Sequence, residues 1–132
     1  MHLNCHSWFS FKYGVMSVET LLEEARQKQI SRLALTDINN TSGCLDFIRL
    51  AKQKFGIDPV VGIDFRNRGT EQCYVGIATN HDGFFELNRF LSQHLASGQP
   101  FPPQAPAFSD AICCGSLRIA ASTSAQVSSA VA

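Results

Sequence analysis

Residues 32–65 read RLALTDINNTSGCLDFIRLAKQKFGIDPVVGIDF. A short apolar run, Leu33, Ala34 and Leu35, is halted by the turn-rich stretch from Asp37 to Gly43. That length and those flanks predict a buried strand. Cys44, Phe47, Ile48, Ala51 and Phe55 then recur on one face at helical spacing, with Thr41 or Ser42 as the expected cap and Gly56 as the left-handed stop. Pro59, Val60 and Val61 open a second buried strand. Strand, helix and strand in this order predict parallel pairing across a crossover helix.

The same alternation extends outward in both directions. Upstream, Val18, Leu21, Leu22 and Ala25 share a helical face, with Ser17 placed to cap it and Glu19 in its first turn. Before that lies HLNCHSWFSFKYG, residues 2–14, whose start reads as a strand with His2, Asn4 and His6 in one file opposite Leu3 and Cys5. Downstream, RNRGTE (66–71) reads as a hairpin turn, and a strand follows around Tyr74, Val75 and Ile77. From Asp82 onward, Phe84, Leu87, Phe90, Leu91 and Leu95 mark a third helix that ends before Gly98. The predicted order is β-α-β-α-β-β-α. It implies an α/β fold with a mainly parallel sheet, open or closed into a barrel, whose functional groups gather at the carboxyl ends of the strands.

Residues 1–98 carry this pattern, and residues 99–111 form a proline-rich connection. Residues 112–132 are rich in Ala and Ser and sustain neither period, so they are expected to be disordered or read from the wrong frame. The whole chain has 132 residues, the size of one domain, and its 11 basic residues balance 11 acidic ones. Net charge therefore argues against broad attraction to nucleic acid or anionic membrane. The five cysteines form no CxxC pair; Cys5, Cys44 and Cys73 sit among apolar neighbours, which predicts buried reduced thiols and a reducing cytoplasm. No stretch looks like a signal peptide or a membrane span.

The candidate chemistry lies at the predicted strand ends, in His2, Asn4, His6, Asp37 and Asp64. A phosphoester-cleaving metal site needs several His, Asp or Glu ligands converging from different loops with a position left open for water. One file of polar residues does not supply that, and histidines that only hydrogen-bond near a strand end are the simpler expectation. Asp37 is expected to cap its loop or the next helix, and Gly62 permits close backbone approach ahead of Asp64. Ser7, Ser10, His81 and His94 are assigned no chemistry. Trp8, Phe9, Phe11 and Tyr13 interleave with Lys12, which suits either a stacking surface for single strands or a loop folded onto the end of the sheet; the second is expected.

Three motifs, LNCHSWFSFKYG, ALTDINNTSG and PVVGIDFRN, in this order and spacing, together with IATNHDGFFELNRFL and PPQAPAFSDA, resemble the N-terminal polymerase-and-histidinol-phosphatase (PHP) domain of bacterial DNA polymerase III alpha subunits, in a form similar to that of Bacteroidetes. The resemblance covers residues 1–111. It implies a distorted seven-stranded β/α barrel, of which this chain would hold the first part. Active members bind up to three metal ions and cleave phosphoesters, and in polymerases with an intact site the domain is associated with proofreading. Their ligand pattern begins His-x-His, adds a third ligand in the same loop, then Asp-His and Gly-x-Glu. Carried over by position, the ligands here are Asn4, His6, Tyr13, Ile38 and Asp64, with Asp37 retained beside Ile38. Of these only His6 and Asp64 could still hold a metal, and weakly.

The resemblance thus implies a catalytically degenerate, structural or interaction domain of a replicative DNA polymerase. It needs no cofactor of its own, while the parent enzyme would use Mg2+ in nucleotidyl transfer to DNA. Its expected partners are the remainder of the alpha subunit and a proofreading or sliding-clamp subunit. The alternative is a small metal-dependent phosphoesterase or 3′–5′ exonuclease, which would need Zn2+ or Mn2+. Half a barrel would also leave sheet edges and apolar helix faces uncovered, which predicts self-association.

Overall fold

The computed structural model describes residues 2–68 and 70–115, with side chains from Asn4 onward. The elements are β1 (His2–Cys5), α1 (Val18–Gln27), β2 (Arg32–Ile38), α2 (Cys44–Leu50), β3 (Asp58–Asn67), β4 (Glu71–Ala78), α3 (His81–Ser97) and β5 (Ala111–Gly115). They build one five-stranded sheet in the order β1-β2-β3-β4-β5. β1, β2 and β3 run parallel, and β4 and β5 are each antiparallel to the strand before. The predicted mixed α/β order is therefore present, with one strand more than the sequence pattern suggested.

Each helix begins and ends for a local reason. Ser17 Oγ accepts the Thr20 N–H at 3.1 Å and caps α1 as expected. α2 starts differently: Gly43 precedes it with no side-chain cap, Thr41 Oγ1 donates to Asn88 Oδ1 (2.9 Å), and the Ser42 N–H donates to Asn40 Oδ1 (3.2 Å). The helix continues through a π-helical turn, Ala51–Phe55, and stops at Gly56 with φ 63°. Asn80 caps α3 by accepting the Gly83 N–H at 2.9 Å, and Gly98 at φ 68° ends it.

Within the stretch 112–132, β5 replaces the disorder expected for residues 112–115. Ile112 to Gly115 are not an unstructured tail but pair with β4, from Ala111 opposite Ala78 to Gly115 opposite Tyr74. The exposed N–H and C=O groups along β4 accept a partner strand whatever its side-chain pattern, and Cys113 packs against the core. The rest of that stretch, residues 116–132, lies outside the described residues. The proline-rich connection is likewise anchored. Asn67 accepts the Phe101 N–H at 2.8 Å and donates to the Phe101 carbonyl at 3.1 Å, which seats the Phe101 ring in the core.

The pairing register divides the sheet into two unlike faces. Leu33, Leu35, Val61, Ile63, Phe65 and Tyr74 share one face, and the helices cover it. Under α1 and α2 the core joins Leu22, Leu35, Cys44, Phe47 and Val61; under α3 it joins Ile63, Phe65, Tyr74, Leu87, Leu91 and Phe101. Fully burying one such side chain stabilises the fold by about 1.5–3 kcal/mol. Asn4, Thr36, Ile38, Gly62 and Asp64 occupy the opposite face. Gly62 is required there, since a Cβ would sit 2.1 Å from the Gly76 carbonyl oxygen.

Candidate functional site

Asn4, His6, Asp37 and Asp64, singled out in the sequence, lie toward the carboxyl ends of β1, β2 and β3. Two carboxylates organise the site, and each is fully buried. A buried carboxylate is stable only when hydrogen-bonded or paired.

Asp37 meets this demand through the loop after β1. Its Oδ1 accepts the Ser7 N–H at 2.6 Å and the Ser10 hydroxyl at 2.7 Å, and its Oδ2 accepts the Ser7 hydroxyl at 2.7 Å. Ser10 Oγ in turn accepts the Ile38 N–H at 2.9 Å. Asp37 therefore caps the loop, as expected, and takes no part in α2. Ser7 and Ser10, to which the sequence assigned no chemistry, are its buried partners. Because those two positions turn inward, the aromatic residues between and beyond them turn outward. Trp8 is 58% and Phe11 83% exposed, with Phe9 and Tyr13 exposed as well, which corrects the expectation that this loop folds its rings onto the end of the sheet.

Asp64 is paired by charge. Its Oδ2 lies 3.0 Å from His6 Nε2 and accepts two bonds from the Arg66 guanidinium, at 2.8 and 3.2 Å. Gln72 Nε2 reaches both carboxylate oxygens at 3.3 Å. Burial pushes the Asp64 carboxyl up, but the bonds from His6 and Arg66, the guanidinium charge and Gln72 outweigh it and hold the group below the ordinary carboxylate range. The bond to Asp64 raises the affinity of Arg66 for its proton. The same guanidinium lies 4.7 Å from the centre of the Tyr13 ring. Its backbone is also fixed: Asn39 Oδ1 accepts the Arg66 N–H at 2.9 Å, and Asn39 Nδ2 donates to the Arg66 carbonyl at 2.7 Å.

The remaining predicted positions separate cleanly. Asn4 Oδ1 accepts the Thr36 hydroxyl at 2.9 Å, and Ile38, which pairs with Asp64 across β2 and β3, offers no donor atom to a cation. The His2 side chain lies outside the described residues. His94 is apart from the site, stacked on Phe90 and Phe101. Arg66 and Gln72 were missed. Arg66 was within reach of the reasoning used for the histidine file, since it follows Asp64 by two positions on the same strand. Gln72 gave no such signal, because β4 is antiparallel and brings its beginning to the site.

These residues do not fit a catalytic metal. Such a site needs three or more protein donors around one open position, and among the described residues no group of three His, Cys, Asp or Glu side chains gathers to hold an ion. Asp64 Oδ2 already carries a guanidinium and an imidazole, and Oδ1 accepts from Gln72 at 3.3 Å.

A family model described as PHP domain matches residues 2–125. The chain is 38% identical over 100 residues to an error-prone DNA polymerase of Symbiobacterium thermophilum, covering 76% of this chain and 9% of that protein. It is 29% identical over 97 residues to a DNA polymerase III subunit alpha of Ureaplasma parvum, covering 74% and 10%. A Buchnera aphidicola DNA polymerase III subunit alpha, from the Acyrthosiphon pisum symbiont, is 35% identical over 104 residues, covering 74% and 9%. The chain thus spans about a tenth of the length of these relatives. A crystal structure of a candidate metal-dependent phosphoesterase from Bifidobacterium adolescentis shares the fold, with a TM-score of 0.55 and 19% identity over 73% of this chain and 32% of that one. With matched positions running from β1 through β5, the chain belongs to the PHP domain family.

Proposed function

We propose that this chain serves as the N-terminal PHP part of a replicative DNA polymerase III alpha subunit, in which it acts as a metal-free bracing domain. The observation that carries this reading is the pairing of Asp64 with Arg66 at a centre whose other family positions are Asn4, His6, Tyr13 and Ile38, of which only His6 is a strong metal ligand. The polymerase relatives supply the context. In that setting nucleotidyl transfer, its Mg2+ ions and contact with DNA belong to the rest of the polymerase, and the site of action is the cytoplasm. The domain's own contacts are with that remainder and with a proofreading or clamp subunit. The packing of all three helices on one face of the sheet, with the polar file on the other, supports the reading of β1–β5 as part of a barrel wall.

The alternative, a small phosphoesterase or 3′–5′ exonuclease dependent on Zn2+ or Mn2+, asks for ligands that Asn4 and Ile38 do not provide. Two measurements test the proposal. Reading the gene beyond codon 110 in all three frames is expected to recover the later strands of the barrel and the polymerase palm. The purified chain, supplied with Mn2+ or Zn2+, is expected to hydrolyse neither a phosphomonoester nor a single-stranded 3′ end. Metal-dependent turnover that is lost in His6→Ala would overturn the reading.

A further inference from the structure

The ligands lost at Asn4 and Ile38 explain why a metal would bind poorly, but they do not explain what balances the buried Asp64 carboxylate. We propose that Arg66 is the resident cation of this site, and that its guanidinium excludes a divalent ion even where the missing ligands are restored. The inference rests on reading Asn4, His6, Tyr13, Ile38 and Asp64 as the family's ligand positions, and it is independent of any polymerase role.

Three observations converge. First, Arg66 joins two of those positions directly, donating twice to Asp64 and lying over Tyr13, while Asp64 itself meets a third, His6. The fork gives Asp64 both positive charge and directed donors, which are the services a metal would otherwise supply. Second, the Arg66 side chain is only 11% exposed, and Asn39 holds its backbone from both sides. It therefore has little freedom to swing aside for an incoming ion. Third, a zinc-like ion would bond a carboxylate oxygen at about 2.0–2.2 Å. At Asp64 Oδ2 that ion would stand next to a fixed positive charge, in a setting where water screens little.

Arg66 also links the sheet to the exposed loop. Tyr13 rests on the guanidinium, and the far side of the loop is held by Asp37.

The test compares five proteins made from the full chain. The wild type is expected to melt at the same temperature in EDTA, millimolar Mn2+ or millimolar Zn2+. Arg66→Met leaves Asp64 buried without its charge partner, so its midpoint should fall by roughly 10 °C. Arg66→Lys keeps the charge without the fork and should fall between the two. Finally, Asn4→His/Ile38→His is made with Arg66 retained and with Arg66→Met, and Mn2+ binding is followed by calorimetry and electron paramagnetic resonance. Affinity at least tenfold tighter in the absence of Arg66 is the expected result. Equal affinity in the two backgrounds, or an Arg66→Met protein that melts like the wild type, would overturn the proposal while leaving the metal-free reading intact. Micromolar Mn2+ binding by the wild type would overturn both. If the ligand-restored proteins fail to fold, the order of the three midpoints in the wild-type background decides.

Discussion

Asp37 and Asp64 are both buried carboxylates, yet they answer to different experiments. Among the described residues no cation pairs with Asp37, which is held by hydrogen bonds from Ser7 and Ser10. Asp37→Ala leaves three donors unpaired in a buried place and should destabilise the chain by about 2–4 kcal/mol in urea unfolding. Asp37→Asn keeps one acceptor oxygen and should lose less. Asp64 answers to pH. Its folded pKa lies below the unfolded value of about 3.9, so its contribution is complete above that pH and disappears as the pH falls through the folded value. Urea midpoints followed from neutral pH down to about pH 3 should therefore fall more steeply for the wild type than for Asp64→Asn; parallel curves would count against the Arg66 and His6 pairing. At this scale the sequence was legible in part. The file from Asn4 to His6 and the strand-end place of Asp64 followed from a period of two. The saturation of Asp64 did not, because it depends on Gln72, which arrives from a strand running the other way.

The elements show where pattern reading succeeds and where it stops. Helices with a strong apolar stripe were legible because their buried faces are local, as is the Ser17 cap of α1, whereas Thr41 turns to Asn88 and caps nothing in α2. β5 was invisible for the opposite reason: its place comes from the open edge of β4, and its own residues carry no alternation worth reading. The α3–β5 junction is tightly built. Asn80 Nδ2 donates to Asp110 Oδ1 at 2.7 Å, the Thr79 N–H and hydroxyl both donate to the Asp110 carbonyl, and a Cβ on Gly83 would lie 1.8 Å from that carbonyl oxygen. Gly83→Ala would raise helix propensity by about 1 kcal/mol in an isolated helix, but here it should lower stability and loosen β5, read as faster amide exchange in Ala111–Gly115. Cysteine behaviour is also set by element. Burial, aided by the charge of Asp37, pushes the Cys44 thiol up to about 12, so it should resist alkylation at mildly alkaline pH until the chain unfolds. The half-buried Cys5 and Cys73 should react sooner, and equal rates at all three would contradict this order.

At the scale of the whole molecule, the helices cover one face of the sheet, while Trp8, Phe11, Val15, Leu45, Phe85 and Leu95 remain exposed. Leu95, expected in the core stripe of α3, is among them, and the buried residues of that helix are Gly83, Leu87 and Leu91. An apolar surface of this kind should drive self-association. Sedimentation velocity should show a mass that rises with concentration, and Leu45→Lys/Phe85→Lys should reduce that rise; a monomer at every concentration would refute the expectation. The parallel pairing and the polar strand ends were legible because they follow from the order of elements, whereas the exposed loop was not, since Ser7 and Ser10 decide its orientation through a residue 27 to 30 positions away. The Arg66–Asp64 pair has one more consequence, and it concerns descent. A cation carried by a single codon frees the ligand positions to drift one at a time, which suits the Asn4, Tyr13 and Ile38 now found there. Going back is harder: regaining metal chemistry would require losing Arg66 and rebuilding several ligands together, with the buried carboxylate unbalanced at each step between. Under the role proposed for Arg66, such an arginine would act as a ratchet against a return to metal chemistry.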